Sequence, residues 1–164
     1  MPLFNMIDLR AKLRRGHRLV GIDPGEKTLG VALSDVMLML ASPYAQWPRG
    51  KLAPIAMELR RLAAREGVGG LVVGLPLSLD GGVGPQAERT QGFARALANL
   101  LPIPIVLWDE SLSSVEANEM LIAQGVSRAK RRERIDQTAA AIILESYLAH
   151  RRATNAPRDT LTTP

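Results

Sequence analysis

The chain has 164 residues, 46% of them hydrophobic, which is enough for one sizeable core and too few for two comfortable domains. It contains no cysteine, which excludes a disulfide scaffold, thiolate metal sites and a catalytic thiol, and leaves zinc only carboxylates and two histidines. A formal net charge of +5, carried mostly by arginines, favours a polyanionic partner and phosphate in particular.

Residues 1–17 are read as an N-terminal extension, with Met6, Leu9 and Leu13 on one side of a short amphipathic stretch ended by Gly16. Two β-like runs follow, 19–22 and 29–33, and the first delivers Asp23 to a glycine turn. Between them, Gly21-Ile-Asp-Pro-Gly-Glu-Lys-Thr28 comes close to the phosphate-loop pattern G-x-x-x-x-G-K-[ST]. Glu26 stands where the second glycine is needed, and residues 29–34 have strand composition where a phosphate loop requires a helix. The phosphate loop is therefore excluded, and Asp23 either serves a ligand at a strand end or merely shapes a hairpin turn. A third extended piece over 37–46 completes an antiparallel meander.

From Lys51 the period changes, and Leu52, Ile55, Ala56, Leu59, Leu62 and Ala63 fall on one helical face, stopped by Gly67. Gly70-Leu-Val-Val-Gly74 reads as a buried parallel strand. After the loop 75–84, a flap over substrate or a plain connection, a second helix turns Ala87, Phe93, Ala94, Leu97 and Leu101 inward before Pro102 and Pro104. Ile105-Val-Leu-Trp108 is another strand, with Trp108 in core or cleft wall rather than a base-stacking platform. Ser113-Ser-Val-Glu116 has capping-box spacing for a third helix over 114–124, stopped by Gly125. The final helix is expected over 136–151, with Ala140, Ile143, Leu144, Tyr147 and Leu148 in the core, and 152–164 as a disordered tail. Such an order implies one α/β domain over 18–151, a mixed sheet flanked by helices on both faces.

Within this layout three acids sit at element ends: Asp23 on the first strand, Glu110 just beyond Trp108 and Asp109, and Asp136 opening the last helix on the side of Ala140, Ile143 and Tyr147. Each has a plainer reading taken singly, since Asp136 would suit a helix N-terminus and Glu110 would suit the start of a loop. Converging at one sheet edge, they would supply the oxygen-only ligands that Mg²⁺ or Mn²⁺ requires for phosphodiester hydrolysis.

Four segments, Gly21-Ile-Asp-Pro-Gly-Glu-Lys-Thr-Leu-Gly-Val-Ala32, Val72-Val-Gly-Leu-Pro-Leu-Ser-Leu-Asp-Gly81, Trp108-Asp-Glu-Ser-Leu-Ser-Ser-Val-Glu-Ala117 and Ile135-Asp-Gln-Thr-Ala-Ala-Ala-Ile-Ile-Leu-Glu-Ser-Tyr147, occur in one order. In these the chain resembles the YqgF/RuvX family of ribonuclease H-like nucleases, linked to maturation of the 5′ end of pre-16S ribosomal RNA and also described as Holliday-junction resolvases. The resemblance covers about residues 18 to 150. It implies a five-stranded ribonuclease H-like sheet and metal-binding, catalytic roles for Asp23, Glu110 and Asp136. One departure is Ser111, which stands where the family usually has an arginine directly after the glutamate. If that arginine holds a phosphate, the task passes to Lys27, Arg89 or the basic run Arg128, Lys130, Arg131, Arg132 and Arg134. That run either steers a nucleic-acid backbone toward the acids or is a solvated loop.

The expected function is a metal-dependent endonuclease acting on structured nucleic acid, with precursor ribosomal RNA preferred and structured DNA as the alternative. A non-catalytic nucleic-acid-binding module of the same fold is the rival from another class, and half of an actin-like kinase is excluded by length. Residues 1–18 hold no apolar run of signal-peptide length and no stretch is long enough to cross a bilayer, so a cytoplasmic protein without a membrane partner is expected.

Overall fold

The glycine turn at Gly25 joins strand β1 (Arg18–Pro24) to strand β2 (Thr28–Ser34), which pair antiparallel with Val20 opposite Leu33 and Asp23 opposite Gly30. The Gly25 N–H donates to the Thr28 carbonyl at 2.9 Å, and a Cβ on Gly25 would lie 2.8 Å from that oxygen, so only glycine closes this turn. In the computed structural model the described residues are 13–76, 82–109 and 128–155, with side chains at 128–138 and 153–155 outside that description. The amphipathic stretch before Leu13, the helix expected over 114–124 and the residues after Asn155 lie outside the described residues.

Strand β3 (Ala41–Pro48) adds to β2 antiparallel with a register shift between Val31 and Ala32, completing the expected meander. It begins at Ala41 rather than at residue 37, because Asp35 turns the chain first: its Oδ1 accepts the N–H groups of Met39 at 2.8 Å and Leu40 at 3.0 Å. Helix α1 (Leu52–Glu66) buries Ile55, Ala56, Leu59 and Leu62 and ends at Gly67, whose φ of 68° and ψ of 47° are left-handed. Strand β4 (Val68–Leu75) then pairs parallel with β1. Helix α2 (Pro85–Ala98), with proline in its first turn, crosses to strand β5 (Ile105–Asp109), parallel to β4. The sheet order is β3-β2-β1-β4-β5.

The last helix, α3 (Arg128–Asn155), corrects the expectation that Asp136 opens it. Residues 128–134 are its first two turns and not a loop, since Arg, Lys, Ala and Glu are strong helix formers even without an apolar stripe. The helix also continues past residue 151 to Asn155.

Alternation along the strands splits the core in two. Val20, Ile22, Val31, Val73 and Ile105 face α1 and α2, packing with Leu59, Leu62, Phe93 and Leu97. Leu19, Ala32, Val72 and Val106 face α3 and pack with Ala140, Ile143, Leu144, Tyr147 and Leu148.

Candidate nuclease site

Strands β1, β4 and β5 are parallel, so their C-terminal ends share one edge, with Ile22 beside Val73, Val73 beside Leu107, and Leu75 beside Asp109. Asp23 is half-buried at that edge. It follows Leu19 and Gly21 on the face toward α3, where a Cβ on Gly21 would stand 2.8 Å from the Ala140 carbonyl oxygen and 2.8 Å from the Leu144 Cβ.

The helix runs antiparallel to β1. Its far end reaches the turn between β2 and β3, where Arg152 Nη1 donates to the carbonyls of Leu38 at 3.4 Å and Met39 at 3.0 Å. That turn lies beside the start of β1, where the Leu19 N–H donates to Ser34 Oγ at 2.8 Å. From the close approach of Gly21 to Ala140, Asp23 lies two residues along the strand, about 7 Å. Asp136 lies four residues back along the helix on the same face as Ala140, about 6 Å in the same direction. The backbone positions of both acids are thus carried to the same sheet edge, although Asp136 sits inside its helix and not at the end. The side chain of Asp136 is outside the described residues, as is Glu110, which follows Asp109 by one peptide bond. Among the described residues no three His, Cys, Asp or Glu side chains cluster as a metal site, because Asp23 alone of the three acids has a described side chain.

Of the predicted substrate-binding residues, Lys27 is exposed at the turn and its carbonyl accepts the Arg49 N–H at 2.9 Å. Arg89 is exposed on α2 and lines a cleft at the turn. Arg128, Lys130, Arg131, Arg132 and Arg134 lie on the first two turns of α3, within about two helical turns of Asp136. Trp108 is core wall: its ring meets Tyr147 edge-on at 5.4 Å, and its Nε1 donates to Ser146 Oγ at 3.0 Å. The sequence reading missed Arg49, which is half-buried, stacks 4.5 Å above the Phe93 ring and donates from Nη1 to the Gly25 carbonyl at 2.5 Å. Burial lowers its pKa without removing its charge.

An antiparallel meander continued by two parallel strands, with helices on both faces, makes this a five-stranded mixed α/β protein, as the resemblance implied. The chain belongs to the RuvX family, described as Holliday junction resolvase, whose match spans residues 17–150. A protein of Gluconacetobacter diazotrophicus, provisionally named a pre-16S rRNA nuclease, is 52% identical over 149 residues, 90% of this chain and 97% of that protein. One of Gluconobacter oxydans with the same provisional name is 50% identical over 149 residues, 90% of this chain and 93% of its own. Among solved structures, RuvC of T. thermophilus in complex with Holliday junction substrate aligns with a TM-score of 0.47 at 17% identity, covering 82% of this chain and 96% of that one.

Proposed function

We propose that this protein is a divalent-metal-dependent endonuclease that processes the 5′ end of precursor 16S ribosomal RNA in the cytoplasm. The observation that carries the reading is the delivery of Asp23 and Asp136 to one sheet edge by the close approach of Gly21 to Ala140. Asp109, the last residue of β5, lies at the same edge, and Glu110 is the next residue in the sequence. The donor set is carboxylate oxygen only, which suits Mg²⁺ or Mn²⁺ and not a soft metal. Asp23, Glu110 and Asp136 would hold the ion, which supplies activation of water and stabilisation of the leaving oxygen. The chain's own contribution is positional: rigid strand ends and a closely packed helix fix the carboxylates, while Lys27, Arg89 and the basic turns of α3 bind the phosphate backbone. The relatives named as pre-16S rRNA nucleases support ribosomal RNA as substrate, and the family description supports a four-way DNA junction as the alternative.

Incubating the purified protein with labelled precursor ribosomal RNA and with a four-way junction, each with Mg²⁺, Mn²⁺ or EDTA, tests this directly. Cleavage of the RNA that EDTA abolishes is expected. Cleavage of the junction alone would move the substrate to DNA, and binding of either without cleavage under all metals would make the chain a non-catalytic module.

A further inference from the structure

On the other side of the β1 edge from α3, a cleft of 310 Å³ opens between the β1–β2 turn, the end of β3 and the first half of α2. Pro24, Gly25, Glu26, Arg49 and Arg89 are among the residues that line it, so two guanidinium groups and one carboxylate share the space. None of the ion pairs among the described residues engages Arg49, Arg89 or Glu26. Arg49 is nevertheless held in place: its own N–H is bonded to Lys27, its Nη1 to Gly25, and the Phe93 ring supports one face of its guanidinium. The bond to Gly25 uses one of its five side-chain donors and leaves the rest for a ligand. A half-buried cation that no described carboxylate neutralises is costly unless an anion completes it, and partial desolvation strengthens the bond that such an anion would make.

We propose that this cleft is a phosphate subsite in which Arg49 and Arg89 grip a backbone phosphate of the nucleic acid, next along the strand from the phosphate presented to the acids. The inference deepens the nuclease reading and rests on it. A backbone phosphate fits better than a free nucleotide, because none of the described residues lining the cleft is aromatic and they offer no platform for a base. The volume is at the low end of small-ligand cavities, about 300–1,000 Å³. The cleft also shares Pro24 with the strand that carries Asp23, so one nucleic-acid strand crossing the sheet edge would meet both. Arg49 would thereby supply the phosphate grip that Ser111 cannot make, with its planar fork already oriented.

The test is binding of a labelled single-stranded oligoribonucleotide in EDTA, followed by anisotropy across a salt series, for the wild type, Arg89→Ala, Arg49→Lys and Arg49→Ala. Arg89 is exposed, so its truncation leaves the fold intact, and thermal unfolding checks the other two. Leaving one phosphate without its cation is expected to lower the log–log salt slope by about 0.7 and to weaken binding at low salt. Arg49→Lys should keep most of the slope, as a charge is retained, while binding more weakly than wild type for lack of the fork. Wild-type affinity and slope in both Arg89→Ala and Arg49→Lys would overturn the subsite and leave the nuclease reading standing. Failure of the wild type itself to bind at low salt would overturn the subsite, while the nuclease reading stands or falls separately with cleavage of the precursor RNA and the junction.

Discussion

On one face of the sheet two helices, α1 and α2, cover Val20, Ile22, Val31 and Val73 with large side chains such as Leu59, Leu62, Phe93 and Leu97. On the other, among the described residues, a single helix, α3, covers Leu19, Val72 and Val106, and it comes so close that Gly21 has no room for a methyl group. The first face is held by volume, which neighbouring side chains can redistribute when one of them changes. The second is held by backbone against backbone, which fixes where along β1 the helix must sit. Asp23, the candidate acid whose side chain is described, belongs to the second face. Positional accuracy is concentrated where the proposed chemistry needs it, and bulk is placed where only stability is at stake.

The largest effect that would break this comparison is on catalysis. Asp23→Asn, Glu110→Gln and Asp136→Asn are each expected to lower cleavage more than about 100-fold, beyond the loss typical of even an outer partner of a metal ligand. The Mg²⁺-dependent rise in the thermal unfolding midpoint should vanish with them. Equal midpoint shifts in wild type and variants would place the ion elsewhere.

Next come paired substitutions, one on each face. Leu59→Ala is expected to cost about 2–5 kcal/mol of stability and to leave cleavage by the folded protein unchanged. Gly21→Ala should cost about 1–3 kcal/mol, because the Ala140 carbonyl and Leu144 must move, and it should also slow cleavage at temperatures where the protein is fully folded. Urea unfolding and initial rates on the same preparations decide the matter. A Gly21→Ala protein that is destabilised yet cleaves at the wild-type rate would show that the close approach does not set the acids.

A smaller effect concerns the basic turns of α3. Changing Arg131, Arg132 and Arg134 together to alanine should weaken nucleic-acid binding and flatten its salt dependence by about 0.7–0.9 of a log–log unit for each phosphate no longer neutralised. Cleavage at saturating substrate should fall much less. An unchanged slope would return these residues to a solvated helical surface.

The smallest effect separates charge from shape at the β2–β3 turn. The Leu40 N–H, helped by that of Met39 and opposed by desolvation, holds the Asp35 carboxyl below its ordinary value of 3.8. A depressed folded-state pKa contributes stability that is present above the unfolded value and lost as pH falls through the folded one. Asp35→Asn should therefore lower the urea midpoint slightly at about pH 7, with the difference disappearing at about pH 2. The same difference at both would assign the effect to turn geometry.

The hairpin, the α1 stripe and the β4 and β5 runs were legible because alternation and helical period are written directly in apolar residues such as Ile22, Val31, Leu59 and Val73. The start of α3 was not, since residues 128–134 carry charge without an apolar stripe, and helix propensity alone leaves no period to read. Asp136 was consequently expected at a helix end, whereas its backbone lies inside α3, one helical turn before Ala140. Arg49 was invisible for a different reason. Between Pro48 and Gly50 it reads as turn punctuation, and its place beside Gly25 follows from the pairing of Thr28 with Pro48, a register no local pattern encodes.

Strand β3 is an outer member of the sheet, and it carries Pro43, Pro48 and the shifted register opposite Val31 and Ala32. Its opening N–H, at Ala41, is already taken by Glu145 Oε1 at 2.8 Å. Proline has no amide hydrogen to offer, and an irregular register twists a ribbon away from flatness. An unfolded or partly folded neighbour seeking to extend the sheet would meet an interrupted row of donors here, which favours solubility of the native fold over growth into aggregates on this side.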